Sequence, residues 1–110
     1  MSTHTKPIQS QLAHDPEMSE LLDLFLSELP KRVDSVTSAW RQRELNTLRR
    51  IAHQMKGSCA GYGFPTLGQA AADVERTVDQ NAPLETIATE VNELVELCQR
   101  ALQGRGRAAA

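Results

Sequence analysis

Apolar residues recur along this chain at helical spacing, and the clearest stripe begins at Leu48 and continues through Ile51, Ala52, Met55, Cys59 and Tyr62. These offsets of three, four, seven, eleven and fourteen place every member on one side of a helix over about 44–60. Upstream, Asp15 followed by Pro16 reads as an N-cap with proline at the first helical position, opening a helix whose apolar residues are Met18, Leu21, Leu22, Phe25 and Leu29. Pro30 lacks an N–H and crowds the preceding turn. The helix is therefore predicted to kink or restart there before continuing through Val33, Val36 and Trp40. Gly61 and Gly63 end the second helix, and Pro65 starts a third carrying Leu67, Ala70, Ala71, Val74 and Val78. Asn81 and Pro83 mark the next boundary. A last helix over about 83–102 presents Leu84, Ile87, Val91, Leu94, Val95, Cys98 and Leu102. Four helices with short links predict an all-α, antiparallel up-down four-helix bundle, its first helix kinked or broken near Pro30.

The ends lack this pattern. Residues 1–14 read as a flexible polar arm, 15–103 as the bundle, and 104–110, Gly-Arg-Gly-Arg-Ala-Ala-Ala, as a disordered low-complexity tail. Met1 and the polar ends permit a stand-alone protein as well as a piece excised from a longer one. A length of 110 residues accommodates one core. A hydrophobic content of 40% with little aromatic residue favours a bundle over a sandwich or barrel. The formal net charge of -2 gives no polycation for nucleic acid or an anionic membrane, and Arg105 and Arg107 in the tail add little. Without an apolar run of membrane length or a signal-peptide hydrophobic region, the expected location is the cytoplasm. Cys59 and Cys98 both fall on apolar stripes, so they are expected as buried free thiols.

Candidate chemistry comes from the face opposite the second helix's stripe. With about 100° per residue, His53 lies about 140° from Leu48, while Arg49, Arg50, Lys56, Gly57 and Ala60 occupy roughly 80° to 200°. His53 thus faces solvent from mid-helix among three cations and two small residues. Cationic side chains suit an incoming phosphoryl group and favour the neutral, nucleophilic imidazole, while small neighbours leave the ring open to a protein partner. Gly57 costs of order 1 kcal/mol of helix stability relative to alanine, which suggests that bulk is unwanted there. Glu75, about 80° from Leu67 on the third helix, falls at the edge of the core face. It either reaches a ring nitrogen of His53 and orients it, or is a solvated glutamate. His4 and His14 have no ligand-spaced partner, and Trp40 and Tyr62 sit at the core edge.

The run Ala52-His53-Gln54-Met55-Lys56-Gly57-Ser58-Cys59-Ala60-Gly61-Tyr62-Gly63, followed by Leu67, Ala70, Ala71, Val74 and Glu75, resembles the phosphoacceptor helix and succeeding helix of histidine phosphotransfer (HPt) domains. Phe25 to Val33 also looks like the family's preceding helix, so the resemblance spans about 15–103. It implies His53 as phosphoacceptor, Lys56 as cationic helper, Gly57 as the small docking position and Gly63 as the turn glycine. Cys59 departs from the small Ser or Ala of many relatives, a packing change. The resemblance further implies a monomeric phosphorelay carrier, taking the group from a receiver-domain phospho-aspartate or a kinase and passing it to another receiver. The carrier itself would be no enzyme and would have no nucleotide, cofactor or metal site. Mg²⁺ is expected on the receiver, and the implied partners are response-regulator receivers and a histidine or hybrid kinase.

Other functions remain to be separated. A sensor kinase's dimerising histidine domain usually has an acidic residue directly after the histidine and a proline a few residues on, whereas Gln54 follows here. A module excised from a chemotaxis-type kinase would draw its phosphate from ATP through that kinase. A non-catalytic helical adaptor would carry no phosphate at all.

Overall fold

A computed structural model of the chain describes residues 6–109, with side chains through 105. Among these residues a short 3₁₀ turn, Pro16–Met18, leads into four helices: α1 Ser19–Arg41, α2 Leu45–Gly61, α3 Pro65–Asp79 and α4 Leu84–Ala109. Each packs on its neighbour in sequence, and α1 closes the ring on α4, giving the up-down bundle. The core is almost entirely aliphatic, with Leu29, Val36, Leu48, Met55, Leu67, Val74, Ile87 and Leu94 near its centre and Phe64 at one end. Phe64 and Tyr62 both stack on Phe25, at centroid distances of 5.6 and 4.8 Å. Cys59 and Cys98 are buried free thiols, and burial pushes them up to about 11 and about 12, so both stay protonated at neutral pH. No helix among the described residues is long and apolar enough to cross a membrane.

Of the two outcomes expected at Pro30, a kink or a restart, the first helix excludes the restart. It runs without a break from Ser19 to Arg41, with the exposed Pro30 inside it. An unbroken helix must keep one phase along its whole length. Leu22, Leu26, Leu29, Val36 and Ala39 supply that phase, so Leu21 turns outward at 45% exposure. Asp15 does cap, but it caps the 3₁₀ turn, its Oδ1 accepting from Glu17 N at 2.9 Å. Leu84, expected on the core stripe of α4, is likewise half exposed in the first turn.

All three connections use one device. Arg43, Gly63 and Asn81 have φ of 55°, 86° and 54°, and each follows a helix end. The next residue's N–H reaches back to a carbonyl five positions earlier: Glu44 to Ala39, Phe64 to Cys59 and Ala82 to Thr77, at 2.9, 2.8 and 3.0 Å. These are Schellman closures, which satisfy the last carbonyls of the helix. Glycine suits this conformation and asparagine tolerates it. Arg43 has no such excuse in its type; its guanidinium lies 4.0 Å from the Trp40 ring centroid and donates to Trp40 O, contacts that hold it in place. At Asn81, exchange for Gly should leave thermal stability equal or higher, whereas exchange for Ala should cost about 1 kcal/mol. Equal melting temperatures for the two variants would contradict this assignment.

The expected flexible arm is largely structured where it is described. Ile8 N donates to Arg100 O at 3.0 Å, and Arg100 Nε returns a bond to Lys6 O at 2.7 Å. Further on, Ser10 is buried; its Oγ donates to Tyr62 O at 2.6 Å and accepts from Leu12 N at 2.9 Å. Gln11 N adds a bond to Gly63 O at 2.8 Å. Residues 6–14 thus strap α4 to the α2–α3 turn, while residues 1–5, and His4 with them, lie outside the described region. The expected tail is also partly structural: α4 continues to Ala109, and Gly104 is buried because the backbone of Ile8 lies where its β-carbon would be. Arg105 donates to Ser27 Oγ at 2.9 Å.

Candidate functional site

The register between α2 and α3 decides what surrounds His53. The helices run antiparallel, and Arg49 faces Asp79, His53 faces Glu75, and Ala60 lies beside Gly68. Steps of four and then seven residues along α2 are matched by equal steps back along α3, so residues one or two turns apart on each helix meet in sequence. The buried faces of both helices lock this register through Leu48, Ala52, Met55 and Cys59 on α2 and Leu67, Ala70, Ala71 and Val74 on α3.

At the centre stands Glu75. Its Oε2 lies 2.8 Å from His53 Nδ1, and its Oε1 lies 2.9 Å from Lys56 Nζ. The glutamate side chain is 14% exposed, against 61% for the histidine and 43% for the lysine. The Lys56 hydrogen bond chiefly, helped by that of His53, holds the Glu75 carboxyl below its ordinary value against the opposing effect of burial. An ionised carboxylate can only accept, so Nδ1 must carry a proton and donate it. In the neutral ring the lone pair is then on Nε2, on the open side.

A lowered carboxyl pKa has a definite consequence for stability. Glu75 binds its proton less readily in the folded chain, so its contribution is complete above the ordinary carboxyl value of 4.5 and is lost as pH falls through its lower folded value. Urea unfolding of wild type and Glu75→Gln should therefore differ most near neutrality and converge on acidification. A gap independent of pH would refute the ion pair's contribution.

The remaining expected residues divide. Arg49 Nε lies 3.7 Å from Asp79 Oδ1, so two of the three expected cations, Lys56 and Arg49, are engaged by acidic residues of α3. Asp79 carried no signal in the sequence beyond its place directly after Val78, the last residue of the stripe. Arg50 is exposed. Gly57 is exposed, and a β-carbon built there meets nothing within 4 Å. Ala60 is exposed as well, though its backbone nitrogen and β-carbon border Gly68, a contact the helical wheel of α2 does not contain. On the α1 side the histidine helix borders a groove of about 220 Å³, lined among others by Leu24, Phe25, Glu28, Arg32, Ser58 and Tyr62. Leu24 is 59% exposed there, and Arg32 reaches Gln54 Oε1 at 3.5 Å. Among the described residues no group of three or more His, Cys, Asp or Glu is gathered as metal ligands.

The profile of the Hpt domain family matches residues 20–105 of this sequence. The phosphorelay protein LuxU of Vibrio harveyi is 29% identical over 77 residues, covering 70% of this chain and 67% of that protein. Among solved structures, the HPT domain of an Hpt sensor hybrid histidine kinase from Shewanella superposes with a TM-score of 0.76 at 22% identity, covering 94% of this chain and 92% of the other.

Proposed function

We propose, from the premise that this chain belongs to the Hpt domain family, that it is a phosphorelay carrier whose His53 Nε2 takes a phosphoryl group from a receiver-domain phospho-aspartate, or from a kinase, and gives it to another receiver. The observation that carries this reading is the Glu75 carboxylate on Nδ1 of an exposed imidazole. In the forward step the Nε2 lone pair attacks phosphorus, the bond from phosphorus to the aspartyl oxygen breaks, and its electron pair stays on the aspartate. The ring then holds both a phosphoryl group on Nε2 and a proton on Nδ1, and Glu75 offsets the positive charge that results. Reversal onto a second aspartate restores the neutral ring. Lys56, beside the same carboxylate, adds positive charge near the incoming oxygens.

Partner docking is expected over Gly57 and the α1–α2 groove, which Ser58 and the exposed Leu24 help to line. Arg50 and Ala60 belong to the same exposed face. Mg²⁺ and the catalytic groups for transfer are expected on the receiver, and the protein is read as a monomeric cytoplasmic carrier with no kinase activity of its own.

Incubation with a phosphorylated receiver and Mg²⁺ should label the protein with an acid-labile, base-stable phosphate, found on Nε2 by NMR. Absence of label with every receiver and kinase of the source organism would favour a non-catalytic adaptor. Labelling only by an ATP-bound kinase would favour the chemotaxis-type module.

A further inference from the structure

The histidine and its carboxylate belong to different helices, so the bond between them depends on how closely α2 and α3 approach. At Gly68 the approach leaves little room for a side chain. A β-carbon there would sit 3.1 Å from Lys56 O, 3.3 Å from Ala60 N and 3.4 Å from Ala60 Cβ. Two of these atoms are backbone and cannot rotate aside, and Lys56 is itself one of the residues bonded to Glu75. Gly68 is buried on the face of α3 that meets α2, in the first turn of its helix, where glycine brings no gain in helix stability over alanine. Its φ is ordinary, so backbone conformation gives no reason for glycine here. Close approach does.

From Gly68, α3 continues for two turns to Glu75, and α2 runs two turns in the opposite sense from Ala60 to His53. The backbone contact at Gly68 and the carboxylate–imidazole bond are therefore the two ends of one short lever. Between these ends lie buried residues of both helices, Ala71 and Val74 on α3 and Met55 and Cys59 on α2. Such close-packed interiors transmit a displacement of a few tenths of an ångström with little relaxation. We infer that Gly68 is a positioning residue for the phosphoacceptor: by letting α3 lie against the backbone of α2, it sets the reach of Glu75 to His53 Nδ1 and so fixes which ring nitrogen is free to react. This rests on the carrier reading of His53 for its rate consequence, but the tautomer it predicts does not.

Gly68→Ala tests it, because the substitution gains helix propensity while forcing the helices apart. Imidazole nitrogen NMR on the full chain should find the Nδ1–H form of His53 dominant in wild type and its excess over the Nε2–H form reduced about fivefold in the variant. Transfer from a phosphorylated receiver should slow by a similar factor. Gly61→Ala, where a β-carbon meets nothing within 4 Å, is the control and should leave the tautomer unchanged. In a Glu75→Gln background Gly68→Ala should have no further effect on the rate, since its action runs through that carboxylate. Ala60→Val presses on the same contact from α2 and gives the same tautomer reading if Gly68→Ala does not fold. An unchanged tautomer in the folded variant, or a rate loss that persists in full without Glu75, would overturn the proposal. A shifted tautomer in a protein that never accepts phosphate would instead leave Gly68 in place and remove the carrier reading.

Discussion

His53→Gln should abolish phosphate labelling while leaving the bundle intact. The side chain is 61% exposed and its only described partner is Glu75, so its loss removes one surface hydrogen bond and no core volume. Glutamine keeps a donor for that carboxylate but has no nucleophilic lone pair of comparable basicity. The expected result is thus complete loss of the acid-labile label with helical circular dichroism and melting temperature close to wild type. Lys56→Ala gives the contrasting outcome: it removes a charge near the phosphoryl oxygens but not the nucleophile, so transfer should slow by about tenfold without stopping. Residual label of wild-type amplitude on the His53→Gln protein would move the acceptor elsewhere, with exposed His14 the first residue to examine.

Gly63→Val should be the most destabilising single substitution in the turns, costing about 3 kcal/mol. Two effects combine. A φ of 86° is strained for any β-branched residue, and the new β-carbon would collide with Ser10 Oγ while meeting Gln11 N and Leu12 Cγ at 3.1 Å. The second effect expels the strap, so the amides of Gln11 and Leu12, bonded to Gly63 O and Ser10 Oγ, should lose hydrogen-exchange protection. The two parts separate by experiment. In a chain shortened to begin after Asp15, only the backbone strain remains, and the cost of Gly63→Val should fall by roughly half. An equal cost in both chains would show that the strap contributes nothing at this turn.

How much of this was legible in the sequence varies with the kind of interaction involved. The second and third helices were readable because each has one apolar stripe, Leu48 to Cys59 and Leu67 to Val78, and a stripe is a local property of the chain. The first helix was readable as a helix but not in phase: the kink or restart expected at Pro30 allowed Leu21 into the core, whereas continuity to Ala39 selects Leu26. The strap was hidden because its backbone hydrogen bonds and buried serine leave no apolar pattern, and Ile8 and Leu12, which also pack on the core, are too few to make a stripe. Gly104 was misread for the same reason. In sequence it belongs to a simple tail, and only the approach of Ile8 gives it a packing role.

The site shows the same division. His53, Lys56 and Gly57 lie on one helix, and their spacing alone gathers them. Glu75 stood at the edge of its own stripe, with bonding and solvation equally open, until the register brought it to 2.8 Å from the ring. The pairing of Arg49 with Asp79 and the contact at Gly68 depend entirely on that register, so no single-helix wheel contains them.

Gly57 carries a last consequence. Because nothing lies within 4 Å of a β-carbon there, the fold itself exerts no demand for glycine at this position. A randomised library sorted only for folding should therefore fill position 57 with alanine and long polar residues, which strengthen the helix. The same library sorted for signalling should return to glycine or its smallest substitutes. Pools that diverge in this way would make position 57 a record of the shape of a surface belonging to another molecule, and comparing them would map that surface without the partner ever being crystallised.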